Sequence, residues 1–315
     1  VVDADSLTSL TVTAVNANAT IGALGGTGTA ENLATVTANA SGGATIALGD
    51  ITADTTDSTT DLSMTVTLTA DTSSAVTLDA FNNQYGSIAL TASGAGNFTL
   101  GDATSAIGYA GASTFDLSSA TGTNSITTVG ATATGNATIT LASEAGADTV
   151  QIDDSNVVYI SNFQMEASND IVALDIDGIG DNGLHSGGGA PVVNSGRAVF
   201  EMDADENLTA AADVLVLIDE VYATTGLVES ALELNGSREI NMLSTGTDLV
   251  SGDALAVVWS DGSNSYLGKL VTGALDVSGT QTLASGSTTL TTLVEFTGVD
   301  ISSTGKFTAT NFTLI

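Results

Sequence analysis

The sequence predicts a mainly all-β protein: an N-terminal parallel β-solenoid of irregular coils, then a β-rich C-terminal domain with one or two short helices. An aliphatic residue followed by Thr-Ala recurs through the first hundred residues. Apolar and polar residues alternate with a period of two around each recurrence, which is typical of strands. Gly and Ser cluster between the alternating segments, where tight turns need them. Self-similar units of this length indicate stacked strand-turn-strand coils.

The repeating phrase starts at Val12, Val36, Leu68 and Leu90, at intervals of 24, 32 and 22 residues. In three units a second aliphatic anchor follows ten residues later. We therefore expect six residues to point inward, namely Val36, Ile46, Leu68, Leu78, Leu90 and Leu100. A β-sandwich of ordinary antiparallel hairpins is the alternative architecture for this half.

The predicted strands of the array follow the alternation. They are 10–15, 33–38, 45–48, 64–68, 76–78, 88–90, 98–100, 114–117, 125–129 and 137–141. Thr-x-Thr steps occur on several of them, for example Thr11/Thr13 and Thr35/Thr37. Aligned rows of Thr-x-Thr on a solenoid can bind ice, but ice binding needs a regular grid of hydroxyl groups. We expect the drift in repeat length to spoil such a grid, and threonine is in any case a good strand surface residue.

The charge balance limits the partners of this protein. The chain has 36 acidic and 4 basic residues, a formal net charge of -32, and the first basic residue is Arg197. Such a chain repels phosphate backbones and anionic lipids, which argues against nucleic-acid and membrane-surface partners. Copies also repel one another unless salt or bound cations offset the charge. Cysteine is absent, which excludes disulfides and thiolate metal sites.

An acidic cluster begins where the array ends, at about residue 150. Gly146-Ala147-Asp148-Thr149-Val150 fits the second half of the calcium-binding nonapeptide repeat. Closely spaced carboxylates separated by Gly and Asn suit Ca²⁺, which accepts six to eight oxygen ligands in flexible geometry. A solvated acidic loop is the alternative. The predicted calcium ligands are Asp148, Asp153, Asp154, Asp170, Asp175, Asp177 and Asp181, with Glu166 as an eighth carboxylate in the same segment.

The C-terminal domain, taken as residues 151–315 after a solenoid array over 1–150, is less repetitive. Predicted strands cover 171–176, 199–202, 214–218, 291–297 and 307–315. Thr224 and Thr225 can cap a short helix over 226–234, which Asn235-Gly236 would end. The segments 254–259 and 265–271 flank a turn and predict a hairpin.

Together these residues resemble the C-terminal part of Gram-negative type I-secreted proteins of the RTX kind, including calcium-dependent S-layer proteins. The resemblance is carried by Gly146–Val150, by Ile160-Ser161-Asn162-Phe163, by 169–175, by the hairpin around Trp259 and by the end at 310–315. A full nonapeptide repeat is absent. The resemblance implies an acidic solenoid, an uncleaved C-terminal secretion region, bound Ca²⁺ and an extracellular, cell-surface location.

The sequence argues against an enzyme. His185 is the only histidine, so a zinc site or a histidine-based nucleophile lacks partners. Polysaccharide lyases on solenoids typically use Lys, Arg or His, and the array has no Lys, Arg or His. We therefore expect an extracellular structural protein that self-assembles into a surface layer or filament, with a cell-surface polysaccharide as a further partner. The alternative is an adhesin or carbohydrate-binding module, for which Phe81, Tyr85 and Tyr109 are the candidate aromatics.

Overall fold

The first half of the chain folds as the parallel β-solenoid that the repeats predict. A computed structural model describes residues 6–24, 32–53, 62–83, 85–101, 107–127, 135–143, 146–153, 156–165, 170–175, 199–203, 214–240, 251–252, 254–273, 282–301 and 307–314. The chain divides into two units, Val1–Leu174 and Asp175–Ile315. Strands continue past residue 150, where the sequence places the domain boundary, and the first unit ends at Leu174.

The first unit contains seventeen strands among its described residues. They are β1 (Ser9–Val15), β2 (Ala19–Ile21), β3 (Thr35–Ser41), β4 (Thr45–Leu48), β5 (Ile51–Ala53), β6 (Met64–Ala70), β7 (Ala75–Leu78), β8 (Phe81–Asn83), β9 (Ile88–Gly94), β10 (Asn97–Leu100), β11 (Ile107–Tyr109), β12 (Ser113–Ala120), β13 (Asn124–Thr127), β14 (Ala137–Thr140), β15 (Thr149–Asp153), β16 (Val158–Ser161) and β17 (Ile171–Asp175). Each coil contributes one strand to each of two long sheets, and three coils add a third.

The first sheet has the order β1-β3-β6-β9-β12-β14-β16 and the second the order β2-β4-β7-β10-β13-β15-β17. Neighbouring strands with a described register are parallel, and equivalent residues form columns along the stack. One inward column of the first sheet consists of Leu10, Val36, Val66, Leu90, Phe115, Ile139 and Ile160. All six residues predicted to point inward are at most 1% exposed, which confirms the parallel solenoid.

The register of β3 and β6 differs by two residues from the alignment of the repeats in the sequence. The sequence aligns Val36 with Leu68, whereas Val36 lies opposite Val66. Because side chains on a strand alternate with a period of two, this slip keeps every residue on its predicted face. The sequence also misses the third sheet, β11-β8-β5, whose strands have three residues each and are too short for an alternation signal.

Glycine occupies the corners where coils stack most closely. A Cβ added at Gly122 would lie 2.2 Å from the carbonyl oxygen of Gly96, and one added at Gly94 would lie 2.0 Å from that of Ala70. Gly94 also has φ of +111°, a conformation that other residues avoid. These Gly-rich turns therefore let successive coils approach to the strand spacing.

The second unit contains a mixed sheet. Its elements are β18 (Val199–Met202), β19 (Val214–Leu217), α1 (Thr225–Leu232), β20 (Ala254–Ser260), β21 (Ser265–Val271), β22 (Thr289–Thr297), a 3-10 turn (Ala309–Asn311) and β23 (Phe312–Leu314). Strands β18, β19 and β20 are parallel, and β20, β21 and β22 are antiparallel. This confirms the predicted hairpin between β20 and β21.

Helix α1 begins at its predicted cap. The Thr224 hydroxyl accepts the backbone N–H of Leu227, which also donates to the Thr224 carbonyl oxygen. Val228, Ala231 and Leu232 pack into the core of the second unit. The helix ends at Leu232, before the predicted Leu234. Predicted strand 307–315 is wrong in its first half, because Thr308 and Asn311 form a capping box around a 3-10 turn.

Candidate functional site

The outward side of the first sheet is a continuous surface of small polar residues. Inward residues of β3 and β6 are buried, while the alternate residues remain partly or fully exposed. We call this surface the threonine face. It consists of Ser9, Thr11, Thr13, Val15, Thr35, Thr37, Asn39, Ser41, Thr65, Thr67, Thr69, Ala89, Thr91, Ser93, Thr114, Asp116, Ser119, Thr138, Thr140, Tyr159 and Ser161.

The threonine face is ordered in columns that cross the strands. The central column consists of Thr11, Thr37, Thr67, Thr91, Asp116, Thr140 and Ser161. Equivalent hydroxyl groups are therefore about 4.8 Å apart across strands, and about 6.6 Å apart along a strand. Hydrogen bonds link some neighbours: Thr69 donates to the Asn39 side chain, and the Ser161 hydroxyl donates to Thr140 at 3.2 Å.

The variation in coil length leaves the register of β1, β3, β6 and β9 unbroken, and a shift occurs only further along, between Asp116 and Ser119 on β12. Strands β1, β3, β6 and β9 all have seven residues, although Val36 and Val66 are 30 residues apart and Val66 and Leu90 only 24. The variation in coil length therefore falls between the strands of the first sheet. Drift along the sequence is compatible with a regular grid, because only the strands need to stay in register.

Charge is nearly absent from the threonine face. Asp116 is its only residue that is charged at neutral pH, in a chain with a net charge of -32. Asp116 is exposed, and its Oδ1 accepts the backbone N–H of Ser118 at 3.0 Å. Two exposed acids of the first unit lie at corners, Asp71 between β6 and β7 and Asp50 before β5. The face thus offers hydroxyl and methyl groups with a single charge. The outward positions of β4, β7, β10 and β13 in the second sheet are uncharged as well.

The Thr-x-Thr steps are visible in the sequence, whereas the position of Asp116 among them is not. The signal was present only in the register, because Asp116 occupies a position that threonine holds on the two strands on either side, at Thr91 and Thr140. From the sequence alone, Asp116 belongs to a predicted strand and is one of many acidic residues.

A second site is a buried polar column at the end of the solenoid. Asn124 lies opposite Phe98, so a polar residue replaces an apolar one of the inward column. Asp148 Oδ1 accepts the backbone N–H of Asn124 at 2.9 Å and its side-chain amide at 3.0 Å. Asp170 Oδ1 accepts the backbone N–H of Asp148 at 3.0 Å, and its Oδ2 accepts that of Gln164 at 2.8 Å.

Burial governs the electrostatics of this column. Asp148 is 1% and Asp170 2% exposed. Burial raises the pKa of Asp148 to about 7, against the hydrogen bonds from Asn124, and the negative charge of Asp170 adds to the rise. Burial also raises the pKa of Asp170. Oδ2 of Asp148 is buried and has no hydrogen-bond partner among the described residues.

The structure brings together two of the seven predicted calcium ligands, Asp148 and Asp170. Asp153 ends β15 and Asp175 ends β17, but their side chains lie outside the described set. Asp154, Asp177 and Asp181 lie outside the described residues, as do Glu166 and His185. Within the part of the chain that the structure describes, no group of three or more His, Cys, Asp or Glu residues is placed to hold a metal ion.

The aromatic candidates for carbohydrate binding lie mostly inside the protein. Phe81 is fully buried and Tyr109 is 2% exposed, where its ring packs against Phe115 at 5.9 Å between centroids. Only Tyr85 is partly exposed. A ring cluster on the surface of the array, which a carbohydrate-binding module would use, is therefore not formed by these three residues.

Two buried charged residues of the second unit were not singled out from the sequence. Arg238 is fully buried and donates to the carbonyl oxygens of Met202 and Ile218, near the ends of two parallel strands. Glu233 accepts the backbone N–H groups of residues 286, 287 and 288. Both bind backbone groups, which indicates a structural role.

Comparisons with known proteins give no family for this chain. No family model matches it, and neither a curated protein nor a solved structure is significantly similar to it. Among the described residues, no helix has the length and apolar character needed to cross a membrane.

Proposed function

We propose that this protein is an extracellular structural protein whose copies associate through their threonine faces into a surface layer or a filament. The observation that carries the proposal is the near absence of charge from this face in a chain with a net charge of -32. Two such chains repel each other over most of their surfaces. A face of hydroxyl and methyl groups is one place where they can approach at a low electrostatic cost.

The size of the face sets the strength of a single contact. Seven strands at about 4.8 Å, and three outward residues per strand, give roughly 30 Å by 15 Å, or about 450 Å² per copy. Stable pairwise interfaces bury about 800 Å² per partner. One contact of this kind is therefore weak. Contact between two identical faces also closes as a pair, so a layer or filament needs further contacts, through strand edges, coil ends or cation bridges.

A matched pair of substitutions would test association through the threonine face. Thr67→Asp adds a charge to the centre of the threonine face, whereas Thr77→Asp adds the same charge to an outward position of the second sheet. We expect the wild type and Thr77→Asp to show the same concentration-dependent light scattering, and Thr67→Asp to remain monomeric. Equal scattering by both variants would remove the threonine face from the proposal, and a wild type that is monomeric at all concentrations would overturn self-assembly.

Calcium is the second part of the proposal. Support comes from the excess of carboxylates and from the resemblance of residues 146–175 to calcium-dependent surface proteins. Because Asp148 and Asp170 accept backbone N–H groups inside the solenoid, we assign calcium to the remaining predicted ligands, Asp153, Asp154, Asp175, Asp177 and Asp181. An ion bound only by the folded state, at 100 times its Kd, adds about 2.7 kcal/mol per site.

Thermal melts at matched ionic strength test the calcium proposal. We expect a higher Tm with calcium than with EDTA and an equal concentration of charge supplied by sodium chloride. Negative-stain imaging of the same samples shows whether ordered arrays form only with calcium. Equal Tm values in the two buffers would contradict the proposal, because screening by salt would then explain the whole effect.

Ice binding is a second candidate, and the register of the hydroxyl columns favours it. The objection from repeat length no longer holds, since Thr37, Thr67 and Thr91 lie in one column. Thermal hysteresis and inhibition of ice recrystallisation measure this activity directly, in dilute solutions where copies do not associate. We expect Thr67→Asp to abolish any such activity and Thr77→Asp to keep it. A wild type without either effect would leave self-assembly as the use of this face.

A further inference from the structure

The buried polar column at the end of the solenoid is a ladder of hydrogen bonds from backbone to side chain. Asn124 Oδ1 accepts the backbone N–H of Phe98 at 3.3 Å. Asp148 Oδ1 accepts that of Asn124, and Asp170 Oδ1 accepts that of Asp148. Each side chain therefore binds the backbone of the preceding coil. We call Asn124, Asp148 and Asp170 the polar ladder, and all three are at most 2% exposed.

The polar ladder begins where the pairing of backbones becomes shorter. Strand β9 of the first sheet has seven residues and β12 has eight, whereas β14 and β16 have four each. Strand β12 also contains the register shift between Asp116 and Ser119. The last described strand of the third sheet, β11, comes before this point. In the described part of the chain, backbone pairing therefore determines the register least in the coils that contain the polar ladder.

Apolar packing does not determine the register of these coils either. A slip of β15 along β13 by two residues would place Val150 opposite Asn124, and Ile152 opposite Ile126. Val150 and Ile152 are both fully buried, so the slip preserves the alternation of apolar and polar residues. The same slip would separate Asp148 from the backbone and side-chain donors of Asn124. Because buried polar groups without partners are costly, the polar ladder distinguishes the two registers.

We propose that the polar ladder sets the register of the last coils of the solenoid. Buried polar groups contribute little stability compared with apolar residues of similar size, and their best-established use is to select one register among several. Burial raises the pKa of Asp148 and of Asp170, which reflects the cost of placing these carboxylates in the core. This role is independent of whether copies of the chain associate.

Trapping by disulfide bonds can measure the register, because the chain has no cysteine of its own. Ser125→Cys with Thr149→Cys reports the observed register, in which these residues lie opposite each other. Ser125→Cys with Gln151→Cys reports the slipped register. In the observed register this second pair is about 8 Å apart, which is too far for a disulfide bond. After treatment with oxidised glutathione, titration of the remaining thiols gives the cross-linked fraction of each pair.

Each cysteine pair is placed in three proteins: the wild-type ladder, Asp148→Asn, and Asn124→Leu combined with Asp148→Leu. Asp148→Asn is the matched control, because asparagine keeps an oxygen that accepts the Asn124 N–H. We expect the wild type and Asp148→Asn to cross-link mainly the pair of the observed register. The leucine variant should lower this preference by about tenfold or more, while its Tm stays close to that of the wild type.

Three results would overturn the role of the polar ladder in the register. The first is an unchanged preference in the leucine variant, since apolar residues would then suffice. The second is a leucine variant that circular dichroism shows to be unfolded, because the ladder would then supply stability instead of register. The third is an equal loss of preference in Asp148→Asn, which would assign the effect to the charge and not to the hydrogen bond.

Discussion

Strand β6 of the solenoid and strand β20 of the second unit both have seven residues, but they are buried differently. In β6, every second residue is buried and the residues between them are partly or fully exposed. In β20, all seven residues are buried. One face of β20 packs in a cluster with Leu215, Val228 and Leu290. The strands β3 and β6 of the solenoid thus leave one side to solvent or partners, whereas both sides of β20 are buried.

The two units also differ in how they treat charge. All four basic residues of the chain follow residue 196, and Arg238 is fully buried in the second unit, 3.5 Å from the Glu220 carboxylate. The solenoid contains buried carboxylates without any basic residue, and these bind backbone N–H groups instead. The solenoid thus satisfies its buried carboxylates with backbone donors, whereas the second unit places a buried Arg beside an acidic side chain.

The largest effect is expected from a substitution that disrupts the stacking of the solenoid coils. Leu78→Asp places a charge in an inward column where Leu78 lies between Leu48 and Leu100. With no cation nearby, we expect a loss of about 5 kcal/mol or more and the unfolding of the neighbouring coils. Thr77→Asp, one residue away and outward, is the control and should cost less than about 1 kcal/mol. Circular dichroism melts measure both, and unchanged melting of Leu78→Asp would show that the inward assignment is wrong.

Removal of the buried cation, the guanidinium of Arg238, should have the next largest effect. Arg238→Met leaves the carbonyl oxygens of Met202 and Ile218 without their donors. We expect a loss of about 3–5 kcal/mol, since removing one member of a buried polar set leaves its partners unsatisfied. Lys269→Met removes the same charge from a partly exposed position on β21, and should cost about 1 kcal/mol or less. Urea denaturation followed by Trp259 fluorescence reports on the second unit. Equal losses for the two variants would contradict the long-range role of Arg238.

The smallest of the three effects depends on pH and concerns Asp148, a buried carboxylate of the solenoid. Because the pKa of Asp148 is raised to about 7 in the folded protein, folding takes up a proton there, and stability falls as pH rises from about 4 to about 7. The free energy of unfolding of Asp148→Asn, relative to that of the wild type, should therefore be higher at pH 8 than at pH 5, by on the order of 3 kcal/mol.

Asp71→Asn is the control for this experiment. Asp71 is exposed, and hydrogen bonds from Ser74 and Gly42 lower its pKa. Asp71 therefore titrates below pH 5 in both states, and its replacement should change stability equally at pH 5 and pH 8. Urea denaturation at the two pH values checks both variants. A gain from Asp148→Asn that is the same at pH 5 and pH 8 would contradict the raised pKa.

The class of fold and the faces of the strands could be predicted from the sequence alone. Val36, Leu68 and Leu90 alternate with polar neighbours, and this period of two decides which residues are buried, whatever strand lies beside them. The hairpin β20–β21 and the N-cap Thr224 were also predicted, because a turn or a cap depends on a few adjacent residues. The calcium and S-layer predictions have not been tested by the fold.

The register of the strands, and with it the candidate site, could be read only from the folded structure. A shift of two residues keeps all alternation intact, so the sequence cannot distinguish the pairing of Val36 with Val66 from a pairing with Leu68. Register places Asp116 among threonines and Asp170 against the backbone of Asp148. Contacts between residues that are far apart in sequence, such as Glu233 with the 286–288 turn, likewise have no local signal, because they form only when separate elements pack together.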